Sequence, residues 1–212
     1  IFKFFLLLVI VSMMANEYSN KTLKQNLIDG LSKREFIFSK FYTVIALALI
    51  STFFVFIVSI ILGYSYSDFN EFSIVTTDLE YLLAFFIKLV GFFSFGLFMG
   101  ILVKRSAFAV GGILVWFFGE SILKGYLFWQ FKDLDETTER VNSIMQFLPL
   151  ESISNLIKEP FTRLSAVQTV AKQVGEDLSK DFSVQPLDLL IVLVWTAVFI
   201  CLSYILLKKR DL

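Results

Sequence analysis

The chain has no histidine among its 212 residues and one cysteine, Cys201. Without histidine there is no His-based catalytic triad, no zinc-protease helix and little basis for a transition-metal site. A lone cysteine forms no internal disulfide, and the apolar run around Cys201 makes it a small packing residue. No Gly-x-x-x-x-Gly-Lys-Ser/Thr loop is present, so the chain does not hold ATP by that phosphate cradle. A Gly-x-Ser-x-Gly elbow and a buried aspartate pair are missing as well. An enzyme is therefore not expected, nor a metal or cofactor bound by this chain. Proline is equally scarce: Pro149, Pro160 and Pro186 all bound or punctuate one polar part of the sequence.

What is abundant is apolar. Hydrophobic residues make up 57% of the chain, 26 residues are Phe and the mean hydropathy is +0.74. One water-soluble core of this size cannot bury so much apolar surface, so the bilayer is the natural solvent. Phe41 to Gly63 and Leu189 to Leu207 carry no charge, each near the ~20 residues that cross ~30 Å of hydrocarbon as helix. Tyr81 to Val103 contains Lys88, and Ser106 to Phe131 contains Glu120 and Lys124. These make four full spans. Phe4 to Ala15 is a fifth, shorter run, which reads as the tail of a truncated span, since the chain starts at Ile1 rather than Met. The expectation is an all-α polytopic membrane protein in one domain, residues 1–212, with spans near 1–15, 36–63, 81–103, 106–128 and 187–207.

Net charge is zero, yet its distribution is uneven. Residues 17–40 hold Lys21, Lys24, Lys33, Arg34 and Lys40; the next alternate junction holds Lys104 and Arg105; the end carries Lys208, Lys209 and Arg210. Between them, 64–80 has Asp68, Glu71, Asp78 and Glu80 without Lys or Arg, and 129–185 carries more acids than bases. Positive charge marks the cytoplasmic side of membrane proteins, which places 17–40 and the C-terminus inside and both acidic segments outside. A cleaved signal peptide ending at Ala15 is the rival reading of the first residues, but it would export the basic segment and reverse this pattern.

The polar stretch 17–40 has its own local grammar. Thr22-Leu23-Lys24-Gln25 is a capping-box pattern, Gly30 offers the left-handed conformation that ends a helix, and Ser32-Lys33-Arg34-Glu35 is a second box before the next apolar run. The spacing predicts a short helix over 22–31 followed by a freshly capped span. Leu23, Leu27, Ile28 and Leu31 form its apolar edge, with Lys21 and Lys24 elsewhere. In 129–185, three amphipathic stripes are separated by the prolines: Val141, Ile144, Met145 and Leu148; Ile153, Leu156 and Ile157; Val167, Val170, Val174 and Leu178. Short helices on the outer membrane face, or a small external cap, fit these best.

A few residues stand out inside the spans. Glu120 and Lys124 lie four apart on one helix face, where they can neutralise each other. Intramembrane charge is a functional signal by default, but Tyr126, Trp129 and Lys132 follow, so the pair reads as structural, at a re-entrant turn. Lys88 can snorkel outward or pair with Glu120, and spacing leaves both open. Gly96 and Gly100 form a small-x-x-x-small motif that lets helix backbones approach, within the chain or across a dimer. The many Phe read as lipid-facing bulk rather than a substrate box.

The order of parts resembles the permease subunits of type-2 ATP-binding-cassette transporters. It is carried by Glu17 after a span, then Thr22, Leu23, Gly30, Ser32, Arg34 and Lys40 opening the next, with an external Leu148-Pro149 and the closing Lys208-Lys209-Arg210-Asp211. The resemblance covers essentially the whole chain. It implies six spans with both ends inside, so the first is missing here and the second is short. It further implies a half-transporter, with a second permease chain, identical or related, and separately encoded ATPase subunits that alone handle ATP and magnesium. Residues 22–31 would be the coupling helix, docking through Leu23, Lys24, Leu27, Ile28, Leu31 and Arg34 into an ATPase groove. An amphipathic helix lying on anionic lipid is the competing reading of that segment. The expected function is an exporter in the inner (plasma) membrane working by alternating access, with no nucleic-acid partner. A non-transporting anchor of an ATPase-powered envelope machine is the alternative, and the substrate is not legible in the residues.

Overall fold

In a computed structural model, the protein is described over residues 2–66, 79–132, 137–157 and 183–210. The described residues are helical with no strand. Their helices, in chain order, are α1 (Phe2–Ser19), α2 (Thr22–Ile28), α3 (Lys33–Tyr66), α4 (Glu80–Val103), α5 (Ser106–Phe131), α6 (Thr137–Met145), α7 (Pro149–Asn155) and α8 (Pro186–Lys209). The third amphipathic stripe, Val167 to Leu178, lies outside the described residues, as do Asp68, Glu71 and Asp78 of the first acidic segment and Asp211.

Four of these helices, α3, α4, α5 and α8, are long and apolar enough to cross a membrane. They follow from the four long apolar runs, and α3 is longer than its apolar run because the helix begins at its cap, Ser32, and carries the polar residues 33–40 with it. The fifth run is α1, which continues past Ala15 to Ser19.

α4 is the centre of the bundle. In its most apolar stretch 61% of the residues are buried, against 17% in α3 and α5 and 28% in α8. α1, α3, α5 and α8 all pack on it. Lipid is as apolar as Leu, so these contacts rest on close packing and polar bonds rather than on escape from water. Small residues supply the packing. A side chain at Gly96 would collide with Leu7, and a Cβ at Gly100 would meet the Met14 Cβ at 2.9 Å, so both glycines seat α4 on α1 within the chain. Gly91 does the same for α8, where a Cβ would lie 2.8 Å from Val192.

Phenylalanine is divided between two environments. Phe53, Phe54, Phe108 and Phe118 face outward, as a lipid-facing reading expects. Phe92, Phe93, Phe95 and Phe199 are buried, and Phe199 stands 5.1 Å from Phe95, 5.7 Å from Phe98 and 5.5 Å from Trp195, ring centre to ring centre. The bulk-only expectation therefore fails for the α4–α8 seam, where aromatic pairing supplies the packing that hydrophobicity cannot supply in lipid.

Candidate functional site

Two polar assemblies sit at opposite ends of the bundle. The first surrounds α2. Glu17, in the last turn of α1, forms an ion pair with Lys40 of α3 and accepts a 2.6 Å hydrogen bond from the Thr22 hydroxyl. One carboxylate thus fastens both ends of the α2 elbow to the end of α1. Burial would raise the Glu17 pKa, but bonds from Lys40 and Thr22 to the charged form outweigh it and hold the carboxyl below its ordinary value. The expected Thr22 cap is corrected by this arrangement. Thr22 turns its hydroxyl to Glu17, the cap position falls to Lys21 in a left-handed conformation (φ 59°), and Gln25 N–H bonds the Lys21 carbonyl.

The other local signals take the forms their residues dictate. Gly30 has φ +104°, Gly30 N–H donates to the Leu27 carbonyl and Leu31 N–H to the Asn26 carbonyl, which is the Schellman ending. At the second box, Ser32 N–H and hydroxyl both donate to the Glu35 carboxylate at 2.8 and 2.7 Å, and Glu35 N–H donates back to the Ser32 oxygen. These bonds keep the Glu35 carboxyl below its ordinary pKa.

The apolar edge of α2 is split rather than continuous. Leu23 is 1% exposed in the bundle core and Leu27 packs against the same core, whereas Ile28 is 75% exposed and Leu31 is exposed beyond the Gly30 turn. Residues 27 and 28 point ~100° apart on a helix, so one stripe cannot serve both sides. Leu23 is therefore withdrawn from any outward docking surface. Lys24 and Arg34 remain exposed beside Ile28 and Leu31, and the Arg34 guanidinium lies 5.6 Å from the Phe38 ring centre.

The tail closes this end. Arg210 donates to the Ile101 carbonyl, to the Leu102 carbonyl at 2.7 Å and to the Tyr18 hydroxyl at 3.2 Å. The last carbonyls of α4 have no partner within the helix, and a cation there also suits the helix dipole. Lys33, just past the elbow, donates to the carbonyls of Arg210 at 2.8 Å and Lys208 at 3.3 Å. The ends of α1, α4 and α8 and the start of α3 are thereby joined. In the sequence Arg210 is only part of a basic tail, and nothing local says which carbonyls it meets.

The second assembly corrects the pairing expected of the intramembrane charges. Glu120 pairs with neither Lys88 nor Lys124. Its carboxylate accepts from Trp116 Nε1 at 2.7 Å, Leu150 N–H at 3.2 Å and Glu151 N–H at 2.9 Å, which makes it the cap of α7 supplied by α5. Lys124 bonds Glu151 at 2.6 Å, and Lys88 donates to the Ser154 carbonyl at 3.0 Å. An anion therefore holds the start of α7 and a cation its end, each matching the helix dipole. Pro149 at the first helical position lacks the N–H that would otherwise need a partner.

This also moves α7 from where it was expected. Lys88 lies eight residues inside α4, about 12 Å along the helix from Glu80, and Trp195, about 14 Å inside α8, donates to the Phe147 carbonyl at 2.9 Å. Ser152, Ile153 and Leu156 are buried against the long helices. α7 is inserted among them rather than laid over their ends. Among the described residues no cluster of His, Cys, Asp or Glu could hold a metal ion.

A family model described as ABC-2 family transporter protein matches residues 4–212. No curated protein and no solved structure matches the chain.

Proposed function

The chain belongs to the ABC-2 family of transporter proteins, and from that membership we propose that it is the permease half of an exporter whose energy comes from a separate ATPase seated on the α2 elbow. As a family member it is a multi-pass membrane subunit of an ABC transporter, and the family implies an ABC ATPase partner. The rest is our reading. The observation that carries it is the elbow itself. A two-turn helix is clamped at its base by Glu17, Thr22 and Lys40, anchored underneath by Leu23, and left with Ile28, Leu31, Lys24 and Arg34 facing away from the bundle. Apolar residues ringed by cations suit a groove with an acidic rim.

In this mechanism two such chains face each other, each with an ATPase below it in the cytoplasm of the cell. ATP-driven closure of the ATPase pair displaces the elbows, and the rigid clamp passes that displacement to α1, α3 and, through Lys33 and Arg210, to α4 and α8. Only a contact that differs in strength between the two states of the ATPase can bias the bundle. The resulting rocking alternately opens the path between the halves.

The test separates docking from folding. In membranes co-expressing the cognate ATPase, the wild-type chain brings the ATPase through purification, and Ile28→Asp reduces the recovered ATPase at least tenfold while the chain itself is recovered normally. Undiminished ATPase with Ile28→Asp and Leu31→Asp combined would sink the docking assignment. Direction is read from ATP-driven accumulation, which an exporter shows in inside-out vesicles and not in right-side-out ones.

A further inference from the structure

α5 is held in two different ways along its length. Its first half is packed: Ala109 and Ile113 are buried, the Met99 side chain fills the place of a Cβ at Gly112, and the Trp116 ring lies 5.7 Å from that of Phe95. From Glu120 onward the attachment is polar. Beyond that residue no residue of α5 is buried among the described ones, and Ile122, Leu123, Tyr126 and Trp129 are exposed. The polar ties run to α7, where Glu120 accepts from the Leu150 and Glu151 amides and Lys124 pairs with the Glu151 carboxylate. α7 in turn belongs with α4 and α8. Ile153 packs where α4 has Gly91, Lys88 of α4 donates to the Ser154 carbonyl, and Trp195 of α8 donates to the Phe147 carbonyl just before α7.

The boundary between the two halves is built to bend. A Cβ at Gly119 would meet nothing within 4 Å, so close packing does not call for glycine there, and glycine weakens a helix interior. Two residues on, the Ser121 hydroxyl donates to the Phe117 carbonyl at 2.9 Å, a back-bond of the kind that bends helices. Both loosen the same turn. Glu120 keeps a partner wherever that turn goes, because Trp116 Nε1, four residues back on α5 itself, donates to it. On the α7 side, Pro149 has no amide and Ser152 N–H is bonded to the Leu148 carbonyl, so the amides of the first turn that depend on α5 are those of Leu150 and Glu151.

We propose that Glu120 and Lys124 form a releasable latch on α7, with Gly119 as its hinge. The structure is the latched state; in a second state the half of α5 beyond Gly119 swings away, while α7 stays with α4 and α8. A few directional bonds at one place are made or given up together, which yields two discrete positions rather than a gradual drift. The inference rests on the permease reading only for what drives the swing, ATP in the partner. The two positions themselves are a property of the chain.

The experiment uses the full chain in nanodiscs, with Cys201→Ser and spin labels at Ile122→Cys on α5 and Leu190→Cys on α8, and double electron–electron resonance reads the distance between the labels. The latched distance dominates in the wild type, and Glu120→Gln raises a second, longer distance at least about fivefold relative to it, the shift expected for one net hydrogen bond to a charged group. Lys124→Gln moves the populations the same way by less. Adding Gly119→Ala to Glu120→Gln lowers the longer population at least about threefold, because alanine stiffens the turn. Thermal unfolding and exchange of the α2 amides, at the opposite end of the bundle, establish that each variant is folded. One distance shared by all these chains, or a broad continuum in place of a second distance, overturns the latch; a longer population that Gly119→Ala leaves intact overturns the hinge. With the ATPase recovered on the wild-type chain, ATP and vanadate raise the longer population, and unchanged populations there overturn the part of the latch in transport. Failure to recover an ATPase falls on the permease reading alone, and the comparison of wild type with Glu120→Gln in the isolated chain still decides the latch.

Discussion

Glu120 keeps a carboxylate among apolar helices by accepting three N–H bonds, two of them from the first turn of α7. Hydrogen bonds to a charged group are the strong kind, and here both sides lose a partner if one is removed. Glu120→Leu is expected to reduce unfolding stability by roughly 3 kcal/mol, and Glu120→Gln, which retains one acceptor oxygen, by about half as much. Hydrogen exchange at the Leu150 and Glu151 amides reads this directly. Unchanged protection of those two amides in Glu120→Leu would mean that the cap contributes nothing. Glu17 gives a pH dependence of definite sign. Its carboxyl titrates below the ordinary value of 4.5 in the folded chain, so the stabilisation it gives the elbow is complete above the ordinary carboxylate range and is lost as pH falls through the lowered value. Exchange of the α2 amides, corrected for intrinsic rates, should accelerate below about pH 4. In Glu17→Gln the same amides should be less protected at neutral pH and nearly flat with pH; an unaltered profile in that variant would remove Glu17 as the cause.

At the scale of elements, the α1–α4 seam depends on glycine in a way that the lipid-facing helix surfaces do not. Gly96 admits Leu7 and Gly100 admits Met14, while nothing lies within 4 Å of a Cβ at Gly119. Gly96→Leu is expected to cost about 1–3 kcal/mol or to separate α1 from α4, and Gly119→Leu to cost little. Denaturant titration of the two purified variants compares them, and equal losses would make the motif incidental. The same contrast explains what could be read in advance. Apolar length is a property of one segment, so the four long spans are visible in the sequence; Ser32 with Glu35, and Gly30, act within a few residues, so their caps are visible too. Glu120 was visible as a charge, but its two backbone partners lie about thirty residues on, in the first turn of a proline-started helix, and no periodicity encodes that meeting. The division of Leu23 from Ile28 depends on whether protein lies above α2, and helical spacing alone gives only an apolar edge. Thr22 misled for a related reason: Ser/Thr-x-x-Gln fits a cap equally well whether or not a carboxylate five residues earlier claims the hydroxyl.

For the whole molecule, orientation reduces to one question because the basic segments are physically joined. Lys33 meets the tail, Arg210 meets α4 and Tyr18, and the Lys104 ammonium lies 5.8 Å from the Tyr18 ring centre, so the elbow, the α4–α5 junction and the C-terminal end of α8 share one side. The charge rule then acts on the whole cluster rather than on each loop, and on that ground we propose that the cluster is cytoplasmic. α6 follows the other end of α5, so in that orientation it is expected to face out. With Cys201 replaced by Ser, a cysteine at Ser106 is expected to react with a membrane-impermeant maleimide only after permeabilisation, and one at Thr138 to react in intact cells. Reaction of the Ser106 cysteine in intact cells would invert the molecule. It would also put the α2 elbow on the side where no ATP is available, and the permease reading would fall with the topology. The labelling pattern therefore tests the proposed energy source and the fold's orientation together, from two positions that are both exterior to the clamp.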